Sequence, residues 1–190
     1  MKPADEIFWL NTYFDRYRSS IFVPGVCEEL VRLKKLFMDV RSNDRKVIIV
    51  GNGGSAAIAS HCSVDLTKVA RVRSMNFNEA DLITCFANDY GYERWVEKAL
   101  EFYAAPGDVV ILISSSGKSP NLVRAAEYTR QQGLRLVTFT GFSATNPLKQ
   151  LGELNLWVDS NAYNIVEMTH HIWLLAACDL VVGTAEYSAS

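Results

Sequence analysis

The sequence predicts an α/β fold in which a parallel sheet is covered by helices on both faces. Three observations predict it. Five short apolar runs alternate with helix-like stretches along the chain, which is the pattern of strands joined by crossover helices. The run Val47-Ile48-Ile49-Val50 leads straight into Gly51-Asn52-Gly53-Gly54-Ser55 and then a helical stretch. A second run, residues 109–113, ends in Ser114-Ser115-Ser116-Gly117-Lys118-Ser119 before another helix.

The elements follow in order. Residues 5–20 read as an amphipathic helix rich in aromatics: Phe8, Trp9, Tyr13, Phe14 and Tyr17. Pro24 and Gly25 break it, and Pro24 suits the first turn of a second helix running to about Arg41. Strands are expected at 47–50, 72–77, 109–113, 134–140 and 154–158. Helices are expected at 55–68, 80–88, 92–104, 120–132 and 146–151, with a long apolar one at 162–182. The turn Asn88-Asp89-Tyr90-Gly91 separates two of these, and residues 184–190 form a frayed tail. The chain reads as one domain: a helical segment over 1–44, an α/β core over 45–183, and the tail. A pair of aromatic helices outside a sheet has little to bury against in one chain, so 1–44 is expected to form an oligomer interface.

Composition narrows the function. At 190 residues the chain can bury a core, and 49% apolar with 21% charged residues is ordinary for a globular protein. Net charge is −2, with Lys and Arg scattered, so neither a nucleic-acid footprint nor a membrane patch is expected. The charged N-terminus does not read as a signal peptide, so none is expected, and no apolar stretch reads as long enough to cross a membrane. Cys27, Cys62, Cys85 and Cys178 show no CxxC spacing and read as reduced, mostly buried thiols of a cytoplasmic protein.

Chemistry is concentrated in the two loops. Glycines let the backbone approach a ligand, and the helix that follows offers free N–H groups and a positive dipole end. The serines add hydroxyl donors at the same point. In a parallel sheet both loops lie beyond the carboxyl ends of the strands, where ligands bind. The phosphate of a small metabolite is the natural guest. Gly51-x-Gly53-x-x-Ala56 matches a relaxed dinucleotide fingerprint, but the acidic residue it needs after the second strand is at best Glu79. The nucleoside-triphosphate loop fails because Leu112 stands where its first glycine belongs. No nucleotide cofactor is expected.

The stretches VGNGGSAA, Asn88-Asp89-Tyr90-Gly91, ISSSGKSPNLV and the last helix from Ile165-Val166-Glu167 resemble the sugar isomerase (SIS) domain family, and within it the phosphoheptose isomerases. The resemblance spans nearly the whole chain. It implies a flavodoxin-like three-layer α/β/α sandwich with a five-stranded parallel sheet and two extra N-terminal helices. It also implies a homotetramer with sites at subunit interfaces and a phosphorylated sugar as ligand. Carried over by position, Ser55, Ser114, Ser115, Ser116 and Ser119 would surround the phosphate. Asn52, Gly53, Gly54, Asn88 and Asp89 would meet the sugar hydroxyls.

Ketose–aldose isomerisation moves a proton between C1 and C2 and needs a base at carbon and an acid or metal at the oxygens. The family supplies a His and a Glu one turn apart, and a Gln and a His two turns apart on the last helix; some members bind zinc there. Here the first pair is His61 and Asp65, four apart on one helix face. Glu167 replaces the Gln, and Leu175 stands where the second His is expected. His170 and His171 lie nearby, and Glu167 and His171 share a face. Asp65, Glu167 and His171 are the candidate catalytic residues. His61, Asp65, Glu167 and His171 make a two-His, two-carboxylate zinc set.

Two functions follow from the resemblance. One is an isomerase converting sedoheptulose 7-phosphate to an aldose heptose 7-phosphate for surface polysaccharide. The other, motivated by Leu175, is a non-catalytic sugar-phosphate sensor or an initiator-protein-binding regulator.

Overall fold

A computed structural model describes residues 2–187. Its centre is a five-stranded sheet of strand order β2-β1-β3-β4-β5, parallel at every pairing. The strands are β1 (Val47–Gly51), β2 (Ser74–Met75), β3 (Val109–Ser114), β4 (Arg135–Thr140) and β5 (Leu154–Trp157). The helices are α1 (Pro3–Ile21), α2 (Val26–Ser42), α3 (Gly54–Lys68), α4 (Ala80–Tyr90), α5 (Trp95–Tyr103), α6 (Pro120–Gln131), α7 (Pro147–Leu151) and α8 (Tyr163–Val182).

Side chains alternate across a strand, so an all-apolar strand must be covered twice. Val47, Ile49, Ile111, Ile113, Val137 and Phe139 face one layer, with Leu33 and Phe37 of α2, Ile58 and Leu66 of α3, and Trp173 and Leu174 of α8. Ile48, Val50, Val110, Leu112 and Leu136 face the other, with Trp95 and Leu100 of α5 and Leu122 and Ala126 of α6. These are the two helical layers of the expected sandwich.

Several expectations need correction. The second helix starts at Val26, after Gly25 at φ 81°, so Pro24 precedes it instead of filling its first turn. The second strand shrinks from 72–77 to Ser74–Met75, because it pairs only with β1 and Asn76 turns the chain by accepting a bond from the Asn78 N–H at 3.0 Å. α4 runs to Tyr90, so Asn88 and Asp89 sit in its last turn. Cys62 and Cys178 are buried thiols, whereas Cys27 and Cys85 are exposed. α8 is long and apolar enough to cross a membrane by length and composition, contrary to expectation, with 44% of its most apolar window buried inside the protein. Its apolarity has a local cause: it packs on α2, α3 and α1. The two N-terminal helices behave differently. α2 buries Leu33, Phe37 and Val40 in its own core, while α1 leaves Ile7, Phe8, Trp9, Leu10 and Phe14 exposed. Of the tail, residues 188–190 lie outside the described residues.

Candidate active site

Gly51 of β1 is in register with Ile113 of β3, so the glycine and serine loops leave the sheet side by side. α3 and α6 start there, and neither N-terminus has a side-chain cap. Pro120 has no N–H, and the N–H groups of Ser55, Ala56, Leu122 and Val123 bond to Asn52, Gly53 and Ser119 carbonyls, so what the two helices bring to a common space is chiefly their positive ends. That space is a cavity of about 110 Å³ lined by Asn52, Ser55, Ile113, the serines 114–116 and 119, Tyr163 and Glu167. It has room for roughly three or four waters, enough for a phosphoryl group and well below the ~300 Å³ of a small-ligand pocket. A larger groove of about 650 Å³ between α1 and the loop after β5 contains none of the serines 114–116 and 119, and size alone does not make it the site.

The serine loop is internally tied. Ser114 Oγ accepts from the Gly117 N–H and meets Ser119 Oγ, both at 3.2 Å, and Ser116 Oγ accepts from the Lys118 N–H at 3.2 Å. The Ser115 hydroxyl is buried without a partner, an expensive arrangement unless an oxygen ligand completes it. Beneath the loop lies Asn146, 1% exposed. Its amide donates to Thr140 Oγ1 and to the carbonyls of Gly141 and Ser143, and its Oδ1 accepts from the Lys149 N–H. A side chain at Gly117, which holds φ 63°, would run into this Asn146.

Glu167 reaches the cavity from α8 and lies against Gly54, where any Cβ would overlap its carboxylate. Burial raises the Glu167 pKa above its ordinary value, and a phosphate in the same cavity would push it further in that direction.

One turn on, His171 meets His61 with Nε2 and Nδ1 2.8 Å apart, and His61 Nε2 lies 3.4 Å from Asp65 Oδ2. A carboxylate only accepts, so the network assigns the protons: His61 Nε2–H faces Asp65, and His171 Nε2–H donates to His61 Nδ1. His171 is left with a lone pair on Nδ1. Burial, then the neighbouring His61, lower its pKa and favour that basic form. The structure thus brings together the serines, Asn52 and Glu167 in one cluster, and His61, Asp65 and His171 in a second.

Other expected residues fall elsewhere. Gly53 caps α3 with φ 57°. Asn88 and Asp89 are exposed, bonded to each other at 2.9 Å, and do not line the cavity. Leu175 packs, partly buried, against the core. His170 is a structural residue: fully buried, its Nε2 donates to the Thr140 carbonyl at 3.0 Å. The residues missed by sequence reasoning are Asn121, Asn146, Tyr92 and Tyr163. The Asn after Ser119-Pro120 was the available signal, since a polar side chain in the first turn of a helix over a buried strand must find a partner.

The four-residue metal set does not form within the chain. Two imidazole nitrogens on a tetrahedral zinc stand roughly 3.3 Å apart, whereas those of His61 and His171 lie at 2.8 Å and face each other. Among the described residues no group of three or more His, Cys, Asp or Glu could hold a metal ion. The residues in this arrangement do not fit zinc.

Burial pushes the His170 pKa from 6.5 down to about 4. Between those values the unfolded chain binds a proton that the native state refuses, so stability falls as pH drops from 6.5 towards 4. The loss is on the order of 3 kcal/mol. Urea unfolding across this range should show the decline, and His170→Gln should flatten it.

A model of the SIS domain family matches residues 23–141. Phosphoheptose isomerase of Akkermansia muciniphila is 30% identical over 173 residues, covering 88% of this chain and 89% of the relative. Phosphoheptose isomerase GmhA from Neisseria gonorrhoeae has the same fold, with TM-score 0.85 and 23% identity, covering 95% of this chain and 99% of that one. A phosphoheptose isomerase from Francisella tularensis superposes with TM-score 0.84 and 21% identity, over 97% of this chain and 100% of that one.

Proposed function

The chain belongs to the SIS domain family and its phosphoheptose isomerase relatives make it a sugar-phosphate isomerase; from there we propose that it converts sedoheptulose 7-phosphate to an aldose heptose 7-phosphate for surface polysaccharide. The observation that carries this reading is the spacing of the two clusters. The serine cavity takes only the phosphoryl end. Residues four apart on a helix are about 6 Å apart along its axis, which is the step from Glu167 to His171. The five C–C bonds from C7 to C2 of an extended heptose span roughly the same distance, and the two further bonds from C7 to phosphorus carry the phosphoryl group past Glu167 in among the serines. A phosphate among the serines therefore presents C1 and C2 to the His171–His61–Asp65 relay.

In this mechanism His171 Nδ1 takes the C1 proton. Its Nε2–H shifts towards His61, and Asp65 stabilises the charge that results. As C1 loses its proton, the protonated Glu167 gives its own to O2, which forms the enediol. The relay then returns a proton to C2 while the Glu167 carboxylate takes the O1 proton, leaving the C1 aldehyde. Glu167, favoured in its protonated form, donates a hydrogen bond to the sugar oxygens. The exposed apolar face of α1 suits a homotetramer, in which neighbouring subunits would enclose the sugar chain and bring Asn88 and Asp89 within reach of hydroxyls.

Purified protein incubated with sedoheptulose 7-phosphate should form the aldose, and a chelator should leave the rate unchanged within twofold. Activity abolished by the chelator and restored by zinc would overturn the metal-free mechanism. Leu175 supports a second reading, a sugar-phosphate sensor, because no imidazole occupies that position. Raised melting temperature with the sugar phosphate but no turnover would select it.

A further inference from the structure

Asn52 and Asn121 form a reciprocal amide pair. Asn52 Nδ2 donates to Asn121 Oδ1 and Asn121 Nδ2 donates to Asn52 Oδ1, each at 3.0 Å. Asn52 belongs to the glycine loop after β1, and Asn121 sits in the first turn of α6, directly after Ser119-Pro120. Asn121 is 1% exposed and does not line the cavity, whereas Asn52 does. The Tyr92 hydroxyl adds a third bond, to Asn52 Oδ1 at 3.3 Å.

We propose that Asn121 is a positioning residue: it clamps the glycine loop to the serine-loop helix and thereby sets the gap between the two helix N-termini that receives phosphate. The inference rests on the reading of the serine cavity as a phosphate site. The geometry supports it in three ways. The two bonds occupy the carbonyl of Asn52 and one of its two N–H groups, so the amide plane is held and its second N–H is left for a ligand. The pair joins two segments 69 residues apart that share no side-chain cap. Asn121 is buried and Asn52 half-buried, so losing Asn121 removes both bonds that fix the Asn52 amide and frees the loop to move. Donors aimed at an anion act only if their positions are held before it arrives.

The test uses the full chain and two variants, Asn121→Ala and Asn121→Ser, with Leu100→Ala in α5 as a buried substitution remote from the cavity. Inorganic phosphate is the probe, by calorimetry and as an inhibitor of turnover, alongside KM, kcat and melting temperature. Both Asn121 variants should raise the phosphate constant and KM together, about tenfold, with kcat changed less than threefold. Leu100→Ala should lower the melting temperature at least as much and leave both constants within twofold.

Phosphate affinity within twofold of wild type in the Asn121 variants would overturn the proposal, as would a fall in kcat alone. So would failure of both variants to fold, because it would assign Asn121 to general stability. Wild-type protein that binds no phosphate would remove the clamp and the phosphate site together. Wild-type protein that binds phosphate without isomerising any sugar would remove the isomerase reading alone, and the clamp would still be decided by the affinities.

Discussion

Replacing Asp65 with Asn is expected to lower kcat by about 10²–10⁴-fold while the fold and phosphate affinity are retained. Asp65 can only accept a hydrogen bond, so it holds the His61 proton on Nε2. That leaves His61 Nδ1 to accept from His171, and His171 Nδ1 to act as base. An Asn can present its NH₂ group instead. The His61 proton then moves to Nδ1 and meets the His171 N–H, and the pair must break or His171 must protonate the nitrogen that should take the substrate proton. The change is one of tautomer, with volume almost conserved. The measurement is kcat against pH, with melting temperature and phosphate inhibition as controls. Activity within threefold of wild type would sink the relay.

The second large effect is expected at Gly117. Gly117→Ala places a Cβ on Asn146, whose amide is already committed to four partners. It also forces an L side chain to φ 63°. Left-handed strain costs about 1–2 kcal/mol and overpacking about 1–3, so stability should fall by about 2–5 kcal/mol. The loop can relieve the overlap only by moving Ser114, Ser116 and Ser119, so kcat/KM should fall at least tenfold, mainly through KM. Denaturant unfolding and steady-state kinetics check both parts. A stable variant with unchanged KM would show that the serine loop does not set phosphate affinity.

The fold was legible because its causes are local. Val47–Val50 and 109–113 are apolar on both faces, which only a doubly covered strand tolerates. Gly51–Ser55 and Ser114–Ser119 are small and polar at strand ends, and the structure sets them side by side. The edges were less legible. β2 has one neighbour, so two residues suffice where six were expected. The fate of α1 and α2 depended on which helix α8 and the sheet could cover, a question of space that neither sequence pattern addressed.

By itself, the sequence determined the parallel α/β architecture, the two anion-receiving loops and the residue types available for proton transfer. Their periodicity and composition act through neighbouring residues and the backbone. Only the tertiary structure decided which of those residues meet. It separated Glu167 from the His171–His61–Asp65 line, placed Leu175 against the core, left Asn88 and Asp89 outside the cavity, and paired Asn52 with Asn121 across 69 positions. Those contacts depend on the crossing of α3 with α8 and the register of β1 with β3. They are set by packing between segments far apart in the chain, which no local pattern encodes.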